Sequence, residues 1–99
     1  MHLSDKMRPL FISSVQQDLL HIGEALEQRD AHRLGQRLHS VAGALGAVQA
    51  NSLAQACIEL ESALNRGSLA TALTLKVKTV MQRLSAVLDP LQPGPTPLT

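Results

Sequence analysis

The sequence predicts an all-α protein folded as an antiparallel up-down-up-down four-helix bundle. The 99 residues are rich in Leu, Ala, Gln and Val but contain one Phe and no Trp or Tyr, which favours helices over sheets. Apolar residues recur at alternating intervals of three and four, as one face of a helix requires. Short polar links separate four such segments, and helices joined by short links pack antiparallel.

The first predicted helix begins near Pro9, because a missing N–H needs no partner in a first helical turn, and it runs to about Gln28. Its predicted buried face consists of Ile12, Val15, Leu19, Ile22 and Leu26, widened by Phe11 and Leu20. Asp30 is a good N-cap for a second helix from Ala31 to about Val48. The buried positions of that helix are Leu34, Leu38, Val41, Leu45 and Val48.

Asn51 or Ser52 can cap a third helix, whose core positions are Leu53, Cys57, Leu60 and Leu64. Gly67 is typical of a residue that ends a helix, and Ser68 of one that caps the next. The fourth helix presents Leu69, Leu73, Val77, Val80, Leu84, Val87 and Leu91. Four prolines from Pro90 onward exclude further helix. We therefore expect an extension at 1–8, one domain at 9–89 and a proline-rich tail at 90–99.

Composition excludes several classes of function. Nine Lys and Arg against eight Asp and Glu give a net charge of +1, so neither nucleic-acid binding nor direct membrane contact is expected. A single Cys excludes an intrachain disulfide, and we expect neither a signal peptide nor a membrane-spanning run. We expect a cytoplasmic protein, or the cytosolic end of a membrane-bound sensor. The domain is too short to include a nucleotide-binding catalytic domain.

His39 stands among unusually small residues on the second helix. At about 3.6 residues per turn, the side chains within about 60° of it are small, namely Gly35, Ala42, Gly43 and Gly46. Each helical Gly costs on the order of 1 kcal/mol relative to Ala. Two explanations remain open: close packing by a neighbouring helix, or access for a second molecule that must reach the imidazole.

A hairpin centred near Ala50 would place His39 level with Glu61. Glu61 could then orient one ring nitrogen, or it could be an ordinary surface charge. His32 lies about 10 Å from His39 along the helix, too far to share a metal ion, and His2 and His21 are expected at the solvated surface. We therefore expect no metal site.

Adjacent helical residues diverge by about 100°, so Ser40 and His39 cannot form a nucleophile and base pair. The small residues instead favour an exposed imidazole that takes a phosphoryl group from a partner able to dock closely. Much of the charge stabilisation could come from a metal ion on that partner.

The run from Leu38 to Gly46, followed by Leu53, Cys57, Leu60 and Glu61, resembles the histidine-containing phosphotransfer (HPt) domains of bacterial multistep phosphorelays. Such domains often stand at the C-terminal end of hybrid sensor kinases. The resemblance covers about residues 8–90. It implies a phosphotransfer intermediate without its own ATP site, in which His39 accepts a phosphoryl group from a receiver-domain aspartate and passes it to another receiver.

The resemblance also implies that Mg²⁺ belongs to the receiver, so this chain needs no cofactor. The partners would be receivers of a hybrid kinase or response regulator, bound by a monomer. The implied docking surface is Gly35, Gln36, Ala42, Gly43 and Gly46, with Phe11 a weaker candidate. Two positions depart from the family: Ala42 stands where a Lys is common, and Gln49 where Gly is frequent. Arg37 cannot replace that Lys, because it points about 160° away from His39.

Two alternatives remain open. The chain could be a non-catalytic helical module, a degenerate HPt domain that binds receivers without transferring phosphoryl groups. It could also be an autokinase dimerisation domain, although such domains usually form dimers of two-helix hairpins.

Overall fold

A computed structural model of the chain describes residues 3–66 and 70–91. In this part of the chain all regular structure is helical, as the sequence predicts. The helices are α1 (Met7–Glu27), α2 (Ala31–Ala47), α3 (Asn51–Arg66) and α4 (Thr71–Leu88). None of the four helices is long and apolar enough to cross a membrane.

The helices form a four-helix bundle in which each helix packs beside its neighbours in sequence and α1 also packs on α4. The diagonal pairs make no close contact within the described ranges. The α2 and α3 helices are antiparallel, because moving back from His39 to Gly35 moves the facing residue forward from Glu61 to Asn65. This register fixes which residues of α3 lie beside His39.

The core is aliphatic apart from Phe11 and Cys57, and α2 contributes a large part of it. All five residues of its predicted stripe, from Leu34 to Val48, are fully or almost fully buried. Each fully buried Leu or Val side chain stabilises the fold by about 1.5–3 kcal/mol. The α2 helix is therefore held by one face, and its opposite face is not needed for packing.

The buried face of α1 differs from the predicted one. Leu20, expected to widen the apolar stripe, is 63% exposed, whereas Asp18 is buried at 4% exposure. The buried series is Phe11, Val15, Asp18, Ile22 and Ala25, and Ile12, Leu19 and Leu26 are only partly buried. The buried face of α1 includes Asp18 because the side chains of Ser40 and Arg37 on α2 contact its carboxylate.

Two tight turns hold α2 between its neighbours. Arg29 and Gln49 have positive φ, 53° and 63°, and each lies just after the end of a helix. The amide of each residue and the amide of the residue after it donate hydrogen bonds to carbonyls in the last turn of that helix. After α2, the Gln49 amide donates to the Gly46 carbonyl and the Ala50 amide to the Leu45 carbonyl. This is the Schellman arrangement, which glycine usually provides. Asp30 caps α2 as predicted, accepting the Arg33 amide at 3.1 Å.

Three helix starts differ from the sequence-based expectation. The α3 helix begins at Asn51, so neither Asn51 nor Ser52 is its cap, and the Ala50 carbonyl accepts the Ala54 amide. The α1 helix begins at Met7 rather than near Pro9, because Ser4 accepts the amides of Met7 and Arg8. The α4 helix begins at Thr71 with Ala70 as its N-cap, after the predicted cap Ser68. His2, Gly67, Ser68, Leu69 and the tail from 92 onward, including Pro93, Pro95 and Pro97, lie outside the described residues.

Candidate functional site

His39 projects from the solvent-facing side of α2 toward α3. Its side chain is 76% exposed, and its Nδ1 lies 3.1 Å from Oε1 of Glu61, which is 23% exposed. The register of the α2–α3 hairpin predicts this pair. One ring nitrogen is therefore held by the protein while most of the imidazole faces solvent.

The contact determines which ring nitrogen can act as a nucleophile. An ionised carboxylate can only accept a hydrogen bond, so Nδ1 must carry the proton that it donates to Glu61. In a neutral imidazole the other nitrogen, Nε2, then keeps its lone pair. The geometry presents Nε2 as the reactive atom of an exposed, oriented histidine.

Gly43 and Gly46 beside His39 do not pack against other described parts of the chain. A Cβ atom added to Gly43 or Gly46 would meet nothing within 4 Å. Close helix packing therefore cannot explain why these two positions are glycine. Of the two explanations left open by the sequence, the empty space favours access for a second molecule.

Gly35, Gln36 and Ala42 have different surroundings. Gly35 is buried beside α3, where an added Cβ would lie 3.7 Å from Oδ1 of Asn65. Ala42 is only 7% exposed, so its methyl group offers little surface to a partner. Gln36 is exposed and lines, with Gly35 and His39, a groove between α2 and α3.

Phe11, the weaker docking candidate, is a core residue with 6% exposure. Beside it on α1, Leu10 is exposed, and both line a shallow apolar depression with Ala44 and Val48 of α2. The exposed apolar side chains at this end of α1 are thus Met7 and Leu10 rather than Phe11.

A polar cluster around the buried Asp18 carboxylate links α1 to α2 immediately beside the histidine. The Ser40 hydroxyl donates to Oδ2 of Asp18 at 3.1 Å, and Nη1 of Arg37 lies 3.7 Å from Oδ1. Burial raises the pKa of the Asp18 carboxyl above its usual value, although the Ser40 hydrogen bond and the Arg37 charge oppose that shift. Hydrophobic periodicity does not predict this cluster, because Asp18 occupies a position that an apolar residue would normally fill.

The remaining candidates for metal or thiol chemistry are the other His, Cys, Asp and Glu side chains. No three His, Cys, Asp or Glu side chains in residues 3–66 and 70–91 could hold a metal ion together. Cys57 is fully buried, and burial raises the pKa of its thiol to about 11, so it is an inert core residue. His21 was expected at the solvated surface, but it is half-buried and its Nδ1 is covered.

Comparison with known proteins identifies the family. A family model described as the Hpt domain matches residues 6–88, a range that includes all four helices and the His39–Glu61 pair. Searches of the curated proteins and of the solved structures give no significant match. HPt domains are helical bundles that take part in phosphotransfer in phosphorelays and interact with receiver domains. The match covers most of the chain, and the chain therefore belongs to the histidine-containing phosphotransfer domain family.

Proposed function

We propose that His39 is the phospho-accepting residue of a phosphorelay carrier, which takes a phosphoryl group from the aspartate of one receiver domain and passes it to another. The observation that carries this proposal is the exposed imidazole of His39 with its Nδ1 held by Glu61 at 3.1 Å. An acceptor needs both properties, since its nucleophilic nitrogen must be reachable and its proton must be kept away from the reacting side.

The transfer step uses one lone pair. Nε2 of His39 attacks the phosphorus of the receiver's aspartyl phosphate, the N–P bond forms as the P–O bond to the aspartate breaks, and the carboxylate leaves with the bond electrons. The proton on Nδ1 stays with the ring, and the Glu61 carboxylate stabilises the positive charge that develops there. Transfer to a second receiver reverses these steps.

The receiver would dock over the exposed face of α2. Gly43 and Gly46 leave open space along that face, while Gln36 lies on the other side of His39 toward the start of the helix. A side chain at Gly35 would extend toward Asn65 and fill the space beside the acceptor. Ala42 would lie at the edge of the docking surface, with little exposed area of its own. Phosphoryl transfer needs this close approach, since the donor and acceptor atoms must come within about 3–3.5 Å.

The charge of the transferred group must be stabilised largely from outside the chain. Ala42 has no cationic head, and Arg37 is paired with Asp18 on the α1 side of the helix. We expect Mg²⁺ bound to the receiver to supply the missing positive charge. A free monomer would then carry the phosphoryl group only between encounters with receivers of a hybrid kinase or a response regulator.

The proposal is tested by incubating the chain with phosphorylated receiver domains and Mg²⁺ and comparing wild type with His39→Gln. We expect acid-labile, alkali-stable phosphate on wild type only. Substitution of an exposed side chain should change the free energy of unfolding by no more than about 0.5 kcal/mol. His32→Gln, an exposed histidine two turns away on the same helix, is the matched control for the site of attachment and should still carry the label at the end point of the reaction. Labelled His39→Gln would refute the assignment of the acceptor.

A second candidate is a degenerate HPt domain that binds receivers without transfer. The residue that favours it is Ala42, whose methyl group leaves the phosphoryl group without a neighbouring lysine. Measurable receiver binding with no label on wild type, from any receiver tested in either direction, would support this candidate over the carrier.

A further inference from the structure

A groove lies beside His39, between α2 and α3, with a volume of about 360 Å³. It is lined by His32, Gly35, Gln36, His39, Glu61 and Asn65. The groove exists in part because Gly35 has no side chain, so that the floor at this point is backbone facing Asn65. Five of the six lining residues are polar.

The lining is chemically suited to a cation. Glu61 is the one acidic residue among the six, no Lys or Arg is among them, and the Oε1 atom of Glu61 contacts Nδ1 of His39. Its Oε2 has no hydrogen-bond partner in the described part of the chain, and the side-chain amides of Gln36 and Asn65 provide further oxygens. A group with several N–H donors and a positive charge would satisfy these acceptors better than an apolar or anionic group.

We propose that the groove receives a lysine or arginine side chain from the docked receiver domain, and that this contact helps to select which receivers exchange phosphoryl groups with His39. This inference rests on the function proposed above. His39 forms one wall of the groove, so a receiver that brings its aspartyl phosphate to Nε2 must also cover the groove. Charge complementarity at such a position affects association rate and partner choice more than affinity alone.

The test places a competing cation in the groove with Asn65→Lys. The matched control is Gln55→Lys, which makes the same charge change at another exposed position of α3, about 15 Å further along the helix axis and outside the groove. For receivers that label wild type, we expect transfer to Asn65→Lys to be slower by about tenfold or more, as for like charges brought together at an interface. Transfer to Gln55→Lys should stay within about twofold of wild type.

A small phosphoryl donor separates docking from chemistry. Phosphoramidate needs no docking surface, so it should label His39 equally in wild type and Asn65→Lys. Changing the receiver's groove-facing lysine or arginine to glutamate should restore transfer to Asn65→Lys, because the two charges would again be opposite. That rescue would identify the contact.

Three results would overturn the proposal. Wild-type transfer rates in Asn65→Lys would show that the groove is not used, while leaving His39 as the acceptor. Equal slowing of Asn65→Lys and Gln55→Lys would indicate a general electrostatic effect of added positive charge. Failure of every receiver to label wild type would refute the proposed function itself, and the groove proposal with it.

Discussion

Replacing Gly43 by Ala or Leu should make the protein more stable and a poorer partner. A Cβ at this position would meet nothing within 4 Å, and no glycine in the described residues has a positive φ, so neither side chain is sterically strained. Each substitution should gain about 0.5–1 kcal/mol of helix propensity. For a domain of this size, each kcal/mol raises the melting temperature by about 4–8 °C.

The same substitutions should slow phosphoryl transfer in order of side-chain size. The methyl group of Gly43→Ala would displace a receiver slightly, whereas the isobutyl group of Gly43→Leu would hold it away from His39. Because a misplacement of about 1 Å can cost about a hundredfold in rate, transfer to Gly43→Leu should fall by at least that factor. Labelling by phosphoramidate should be unchanged.

Thermal melting by circular dichroism and single-turnover transfer give the two readouts. Gly23→Ala is the matched control, because Gly23 lies on the α1–α4 side, where an added Cβ would make an ordinary 3.7 Å contact with Met81. It should be stabilised without loss of transfer. A destabilised Gly43 variant would show that Gly43 is needed for packing. A Gly43→Leu variant that is stabilised but transfers at the wild-type rate would show that receivers do not contact the surface at Gly43.

Two further predictions concern the residues that support α2. Asp18→Asn keeps an oxygen that accepts from Ser40 but removes the buried charge. Because the folded-state pKa of Asp18 is raised, wild type gains stability from this group as pH falls through that pKa, and the Asn variant cannot. The melting temperature of Asp18→Asn relative to wild type should therefore fall as pH is lowered from 7 toward 4, and a difference that stays constant or rises would contradict this assignment. Gln49→Gly should raise the free energy of unfolding by about 1 kcal/mol, because Gln49 has a φ of 63° that glycine adopts without a Cβ penalty; urea unfolding that shows no gain would refute it.

The α2 helix could be predicted almost completely from sequence, whereas α1 could not. Leu34, Leu38 and Leu45 lie on a strict stripe whose burial needs no knowledge of the neighbouring helices. In α1, apolar residues occur on more than one side, so periodicity alone does not choose between a face centred on Leu19 and one that includes Asp18. The choice depends on Ser40 and Arg37 of α2, which pair with Asp18 only in the folded bundle.

The candidate site, too, could be predicted from the sequence only in part. The His39–Glu61 contact follows from the hairpin register, because residues of α2 and α3 whose numbers sum to about 100 lie level. The same arithmetic pairs Gly35 with Asn65, and could have indicated the groove. The number of a residue does not reveal whether its side chain leaves open space, so the empty surroundings of Gly43 and Gly46 could be learned only from the structure.

The two faces of α2 explain how a locally unfavourable helix can remain folded. Its three glycines cost about 1 kcal/mol each relative to alanine, and Gln49 after it adds a strained backbone of about 1–2 kcal/mol. The other face buries five aliphatic side chains, and this burial holds the helix in the bundle. The surface formed by Gly43 and Gly46 beside His39 can therefore stay free of side chains, because α2 is held in the bundle by its opposite, buried face.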